Sequence, residues 1–242
     1  MSSLPLGPDV SIAGHHPCGL WALDKPSGVR SHPNENRPDP KALLTVGYDA
    51  RAECYTDATD GRRWHLLNRL DAPTSGIVLL AEDEAIASIV RNLFVERAVR
   101  KTYFALVFGK PRPREDLWED RLQVKKGPGG ARTVRGGHQP AITSMKLIRT
   151  KTGPQVQSLL ELQPKTGRTH QLRVQCAERQ LPIVGDATYG DFRLNREFVS
   201  QHGTRRLFLH SGKVAFQFQW NGQKIGFKAS ARLPDDFETV LA

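Results

Sequence analysis

The chain has 242 residues and a formal charge of +10, from 35 Lys and Arg against 25 Asp and Glu. A hydrophobic share of 38% is adequate for a packed core, and 21 Gly with 16 Pro favour strands and turns over a helix bundle. No run of about 18 apolar residues occurs, which excludes a spanning helix, and no basic start followed by an apolar run suggests a secretory signal. Cys18, Cys54 and Cys176 are odd in number and far apart, so neither a zinc site nor a disulfide framework is expected. A reducing, cytoplasmic setting fits them best. The basic excess makes nucleic acid the first partner to weigh, because neutralised phosphates supply most non-specific affinity. A protein that is merely basic stands level with that reading on charge alone.

Residues 1–16 read as a flexible lead-in, and residues 17–242 as one domain without an internal repeat or a sharp break in composition. Cys18 to Leu23 reads as a short strand, followed by a turn at Asp24-Lys25-Pro26-Ser27-Gly28. Residues 31–62, with Pro33, Pro38 and Pro40, read as a long loop with a short helix near Ala42 to Val46.

The stretch Asn68 to Leu80 is the most organised in the chain. Ile77 to Leu80 is a short apolar run bounded by Gly and Pro, the signature of a buried strand. Pro73 lacks an N–H and Gly76 permits unusual dihedrals, so the Pro73-Thr74-Ser75-Gly76 segment cannot continue a regular element. Asp71 is thereby expected on a tight loop at the mouth of a core strand, where functional groups concentrate. The plainer reading makes Asp71 a turn cap with Arg69 as a solvated neighbour.

Glu84 to Arg97 reads as an amphipathic helix. Ile86, Ile89, Val90, Leu93 and Phe94 follow helical spacing, and Asp83 is placed as the N-cap. Lys101 to Phe108 reads as a strand. Residues 109–140 are rich in Gly, Pro and charge. Lys125 to His138 is the segment with the least regular pattern, and it carries Lys125, Lys126, Arg132 and Arg135 with no acid between them. A solvated loop is one reading; a mobile basic arm along a phosphate backbone is the other. Ile142 to Arg149 and Val156 to Gln163 read as paired strands. Thr169 to Arg179 reads as a short helix capped by Thr166 or Thr169. Leu207 to His210 and Lys213 to Trp220 read as strands, and Asn221-Gly222 is a strong hairpin signal. The whole is expected to be α+β: a single catalytic domain on a large mixed, mainly antiparallel sheet with flanking helices and loops.

No zinc-peptidase, P-loop, dinucleotide or serine-hydrolase signature occurs. Each polar stretch is weak alone. Together, in order, DKPSG, RLDxxTSG, KxYxALVxG, TGRTHQLR, PIVGDxxYG and LHS resemble the pseudouridine synthases, and more narrowly the RluA-like branch that acts on ribosomal or transfer RNA. The resemblance covers roughly residues 18–230.

The resemblance implies a central active-site cleft with Asp71 as the essential carboxylate. It implies that Arg69 holds RNA or fills the gap left by a flipped base. Tyr103 would pack on the base and is a candidate for moving a proton, Arg168 would pair with the aspartate, and Leu209 would line the pocket under the base. His170 and Arg173, with the basic Lys125, Lys126, Arg132 and Arg135, are expected at the RNA. Lys25 belongs to a motif nearer a structural role. No metal and no cofactor are expected, because both bonded partners come from one nucleotide, and the partner is ribosomal or transfer RNA bound by a monomer. The His usual before Arg-Leu-Asp is Asn68, and Ala72 and Pro73 replace polar residues after the Asp. These changes bear on loop packing or substrate preference. Two rival readings remain. One is a non-catalytic RNA-binding or ribosome-assembly protein with the same fold. The other is a glycosidase-like hydrolase, for which Asp186 would have to serve as a second carboxylate.

Overall fold

The structure, a computed structural model, describes residues 4–33, 38–127 and 130–242. The chain divides into two compact units, residues 1–100 with 211–231 and residues 101–210 with 232–242. Two of the crossings fall inside strands, which is why no Pro- or Gly-rich linker marks the division. Both units are α+β and rest on antiparallel pairing, the fold class that the pattern of short strands and few helices predicts.

In the first unit, β1 (Ser11–His16) pairs with β2 (Leu20–Lys25), and β2 with β6 (Ser75–Ala81). The short strands β3 (Gly47–Asp49), β4 (Cys54–Thr56) and β5 (Arg63–Leu66) form a ladder onto the other edge of β6. Every residue of β6 is buried, so it is the core strand. α1 (Glu84–Val95) packs Ile86, Ala87 and Val90 against that core, and the Asp83 carboxylate accepts the Ala85 and Ile86 N–H groups as its cap. β12 (Leu209–Trp220) and β13 (Gln223–Ser230) form the hairpin that the Asn-Gly pair predicts. Asn221 and Gly222 both have positive φ, +49° and +74°, as a tight primed turn demands.

In the second unit, β7 (Arg100–Phe108) pairs with β11 (Gln157–Pro164), β11 with β10 (Gln139–Lys151), β10 with β8 (Glu115–Gly127), and β8 with β9 (Gly130–Arg135). α2 (Gln171–Glu178), α3 (Phe192–His202) and α4 (Asp235–Leu241) complete it. Phe208 touches Phe198 and Phe237 edge to face at 5.4 and 5.0 Å, so α3 and α4 are joined through one aromatic cluster.

Several expectations are corrected. Residues 11–16 form a strand, and Leu4 and Val10 are buried, so the segment from residue 4 onward is part of the first unit. No helix forms at 42–46; the loop instead holds β3 and β4, whose Tyr48 and Tyr55 rings are buried 4.8 Å apart. Lys125 to His138 belongs largely to the β8–β9 hairpin, apart from residues 128 and 129, which lie outside the described residues. The two strands expected at 207–220 are the single strand β12.

Gly76 is a tightly enclosed position at positive φ in the first unit. Its φ is +109°, and an added Cβ would lie 2.2 Å from the Ser211 carbonyl oxygen. Gly76→Ala should therefore cost about 3 kcal/mol or more, by strain and backbone clash together. Gly222→Ala, at positive φ but with nothing within 4 Å, should cost only about 1–2 kcal/mol. Urea midpoints of the two variants check the difference.

Candidate active site

The loop that carries Asp71 joins β5 to β6, and its backbone is gripped from three sides. Lys25 is fully buried, and its ammonium donates to the carbonyls of Pro26, Val29 and Ala72 at 3.0, 2.7 and 3.1 Å. The Gly28 N–H donates to the same Ala72 oxygen at 2.8 Å, and the Ser27 hydroxyl donates to the Pro73 carbonyl at 2.8 Å. Ser31 bonds Leu70 twice: its hydroxyl accepts the Leu70 N–H and donates to the Leu70 carbonyl, both at 2.9 Å. The Thr74 N–H closes a turn on the Asp71 carbonyl at 2.9 Å. Backbone groups on either side of Asp71 are thus fixed, and its side chain is half-buried. Buried carbonyls need such donors, and a charged donor makes the stronger bond.

Asn68, where the resemblance implies a His, makes two backbone contacts. Its side-chain oxygen accepts the Leu79 N–H at 2.8 Å, and its amide donates toward the Ile77 carbonyl at 3.4 Å. The amide continues the β5–β6 ladder by one rung, which a side chain with both donor and acceptor can do. Arg69 is largely exposed, and its guanidinium lies 3.5 Å from Glu53, an open pair of small worth. His65 lies in β5, and burial pushes its pKa down.

The second unit holds the other expected groups. Tyr103 lies on β7 opposite Leu162, half-buried against the core of this unit. Two residues earlier, burial pulls the pKa of Lys101 down, and its ammonium lies against Gly167. Arg168 is half-buried, and its Nε donates to the Pro140 carbonyl at 3.2 Å.

The 165–170 loop is pinned by Gln171, which lies within the TGRTHQLR stretch but is assigned no role from sequence. Its side-chain oxygen accepts the Arg168 N–H at 3.0 Å and the Thr166 hydroxyl at 2.7 Å. Its amide donates to the Ile142 carbonyl and the Thr143 hydroxyl at 3.2 and 3.0 Å. The only signal in the sequence is an amide directly after Thr-His at a helix start. The cap of α2 is His170, not Thr166 or Thr169. It adopts φ +52° and gives no side-chain cap.

His170 and the basic hairpin are connected. His170 Nδ1 lies 2.9 Å from the Tyr189 hydroxyl, which also accepts the Thr133 N–H at 2.9 Å. The Thr133 hydroxyl donates to the Thr169 carbonyl at 2.9 Å. Beyond this anchor, Lys125 stands directly opposite Arg132 across β8 and β9, both exposed. Like charges face to face destabilise a sheet, so they need a reason outside the fold. Arg135 leans on Asp120 at 3.6 Å while remaining mostly exposed. The Lys126 side chain lies outside the described residues.

Two residues expected near RNA lie inside the second unit. Leu209 is buried in its core. Arg173 is buried, and its fork grips the Asp186 carboxylate through two bonds of 2.8 Å. The same carboxylate accepts the Thr188 and Tyr189 N–H groups. Asp186 is thus a structural anion, which removes the second carboxylate that a glycosidase reading needs. Among the described residues, no helix is long and apolar enough to cross a membrane.

Comparisons with known proteins bear on the family of the chain. A family model described as RNA pseudouridylate synthase matches residues 19–178. A tRNA pseudouridine synthase C of Vibrio parahaemolyticus is 32% identical over 173 residues, 68% of this chain and 70% of that one. A ribosomal large subunit pseudouridine synthase C of Vibrio vulnificus is 32% identical over 203 residues, 81% of this chain and 58% of that one. The solved structure of human RNA pseudouridylate synthase domain containing 4 matches with a TM-score of 0.67 at 26% identity, covering 94% of this chain and 90% of that one.

Burial alone would raise the Asp186 pKa, but the Arg173 fork and the two N–H groups outweigh it and hold the pKa below the usual value. A carboxylate depressed in the folded state contributes stability above its unfolded pKa, near 3.9, and that contribution is lost as pH falls through the lower folded value. Asp186→Asn should cost about 3–5 kcal/mol at pH 7, because it leaves a buried guanidinium unpaired. It should also flatten the loss of stability below about pH 4. Urea unfolding at pH 7, 4 and 3 checks both.

Proposed function

The chain belongs to the RNA pseudouridylate synthase family, isomerases that act on RNA, and from that premise we propose that it converts specific uridines in structured ribosomal or transfer RNA to pseudouridine through Asp71. The observation that carries this reading is the grip on the Asp71 loop. Lys25, Ser27, Gly28 and Ser31 all bond the backbone at residues 70, 72 and 73, so a half-buried carboxylate is presented in one fixed pose. Preorganisation of this kind is what catalysis asks of a nucleophile or base.

The reaction exchanges one bond for another within a single nucleotide. The bond from the sugar anomeric carbon to ring N1 breaks, the uracil turns, and a bond to ring C5 forms. C5 loses its proton and N1 gains one, so atoms balance without a co-reactant. The target must leave the base stack to reach a half-buried carboxylate, as it does in other base-modifying enzymes. Asp71 acts ionised, as nucleophile or base. Tyr103 offers a flat face for the uracil and a hydroxyl for proton transfer. Arg168 offers a planar fork that suits paired oxygens. Arg69, exposed beside Asp71, is positioned to meet RNA, and Lys125, Arg132 and Arg135 extend the basic surface of the second unit. The protein works as a monomer in the cytoplasm, where Cys18, Cys54 and Cys176 stay free thiols.

Asp71→Ala should abolish pseudouridine formation while RNA binding is largely kept. Mapping of pseudouridines in total RNA from a strain lacking the gene, complemented with wild type or variant, reads the result. Wild type that restores no site would point to RNA binding without catalysis. Arg168→Lys should lower the rate of pseudouridine formation far more than Lys125→Gln, since a point charge cannot replace a fork. Single-turnover rates on the mapped RNA compare them.

A further inference from the structure

One strongly basic surface takes no part in the chemistry above. In the β12–β13 hairpin, Val214, Phe216, Phe218, Phe227 and Ala229 point into the core of the first unit. The opposite face is open. There Lys213 stands opposite Ser230, Ala215 opposite Lys228, Gln217 opposite Gly226 and Gln219 opposite Lys224. The sequence has no Asp or Glu anywhere between Glu197 and Asp235, so neither strand carries a carboxylate of its own beside Lys224 and Lys228. Arg100 joins them: with Ala215, Gln217, Gly226 and Lys228 it lines a groove of about 780 Å³. The floor is low, because Ala215 and Gly226 face outward at its centre. A Cβ on Gly226 would meet only the Gln217 side chain, at 4.0 Å.

An acid-free row of cations with amides between them, over a floor of small residues, suits a phosphodiester backbone. The cations displace counterions and the amides reach phosphate or sugar oxygens. A protein partner would favour large apolar or aromatic anchors, and this face has none. Its position in the first unit is also informative. β12 lies beside β6, and Gly76, at the end of the Asp71 loop, packs on Ser211. Ala215 comes four residues further along β12, roughly 13 Å away at about 3.3 Å per residue.

We infer that the outward face of the β12–β13 hairpin, with Arg100, is a second RNA-backbone site that holds phosphates flanking the modified uridine. The inference rests on the proposed RNA substrate. It adds affinity and register without reading sequence, since phosphate contacts position and base contacts specify.

The test uses the full chain and two double variants, Lys224→Gln with Lys228→Gln, and Lys224→Arg with Lys228→Arg. Binding to bulk transfer RNA and, separately, to deproteinised ribosomal RNA is measured across a salt series. The Gln pair should make the plot of log affinity against log salt shallower by about 1 per lysine, in at least one of the two RNAs, and the Arg pair should keep the wild-type slope. A Gln pair with unchanged slope on both RNAs overturns the site, and so does an equal loss in the Gln and Arg pairs, which would mark a structural role. A failure of the proposed function shows itself separately, as wild type that forms no pseudouridine in the complemented strain.

Discussion

A buried ammonium holds the Asp71 loop of this structure in place. Lys25 has no exposed surface, and it ends among backbone carbonyls of its own turn and of the Asp71 loop. Taking a lysine out of water is costly unless its donors are matched. Here three oxygens meet a group that carries three donors. The loop cannot move without stranding that charge, so the pose of Asp71 is coupled to the integrity of the first unit's core. Ser31 repeats the device with a neutral group, closing both backbone bonds of Leu70 at once. The Asp71 loop is therefore held by polar bonds around its backbone.

The second unit uses the same logic with an amide. Gln171 satisfies two donors and two acceptors around the 165–170 loop, and Gln175 does likewise for Thr143, Ala141 and Asp120. Polar networks in a low-dielectric interior are unforgiving: fully paired they fix one arrangement, and partly paired they destabilise it. Arg168 sits at the edge of such a network, with its backbone tied and its side chain half-buried.

Legibility differed by element for physical reasons. α1 was readable because its buried residues recur at helical spacing and Asp83 caps it. The final hairpin was readable because Asn221 and Gly222 are the residues that positive φ selects. α3 was not, since Phe198 is its only buried residue and leaves no apolar stripe to count. β3 and β4 were not, since three-residue strands among polar residues carry too short a pattern. At the site, the Asp71 loop announced itself through Pro73 and Gly76. Ser31 did not, because Leu70 lies 39 residues away, and Gln171 did not, because Ile142 and Thr143 lie 29 and 28 residues away and only folding brings them to its amide. Arg173 read as an RNA contact because sequence cannot tell a fork turned outward from one turned onto Asp186.

The facing pair Lys125 and Arg132 has a consequence for how the β8–β9 hairpin responds to its medium. Dissolved ions weaken the repulsion inside the hairpin and also weaken its attraction for a polyanion. The two effects have opposite sign for the complex. If the hairpin meets RNA as proposed, dilute buffer leaves it internally stressed yet strongly drawn to the polyanion, and concentrated buffer relaxes it while loosening that hold. A bound phosphate chain would then remove the stress at its source, so the segment's own cohesion would become a property it shares with its ligand.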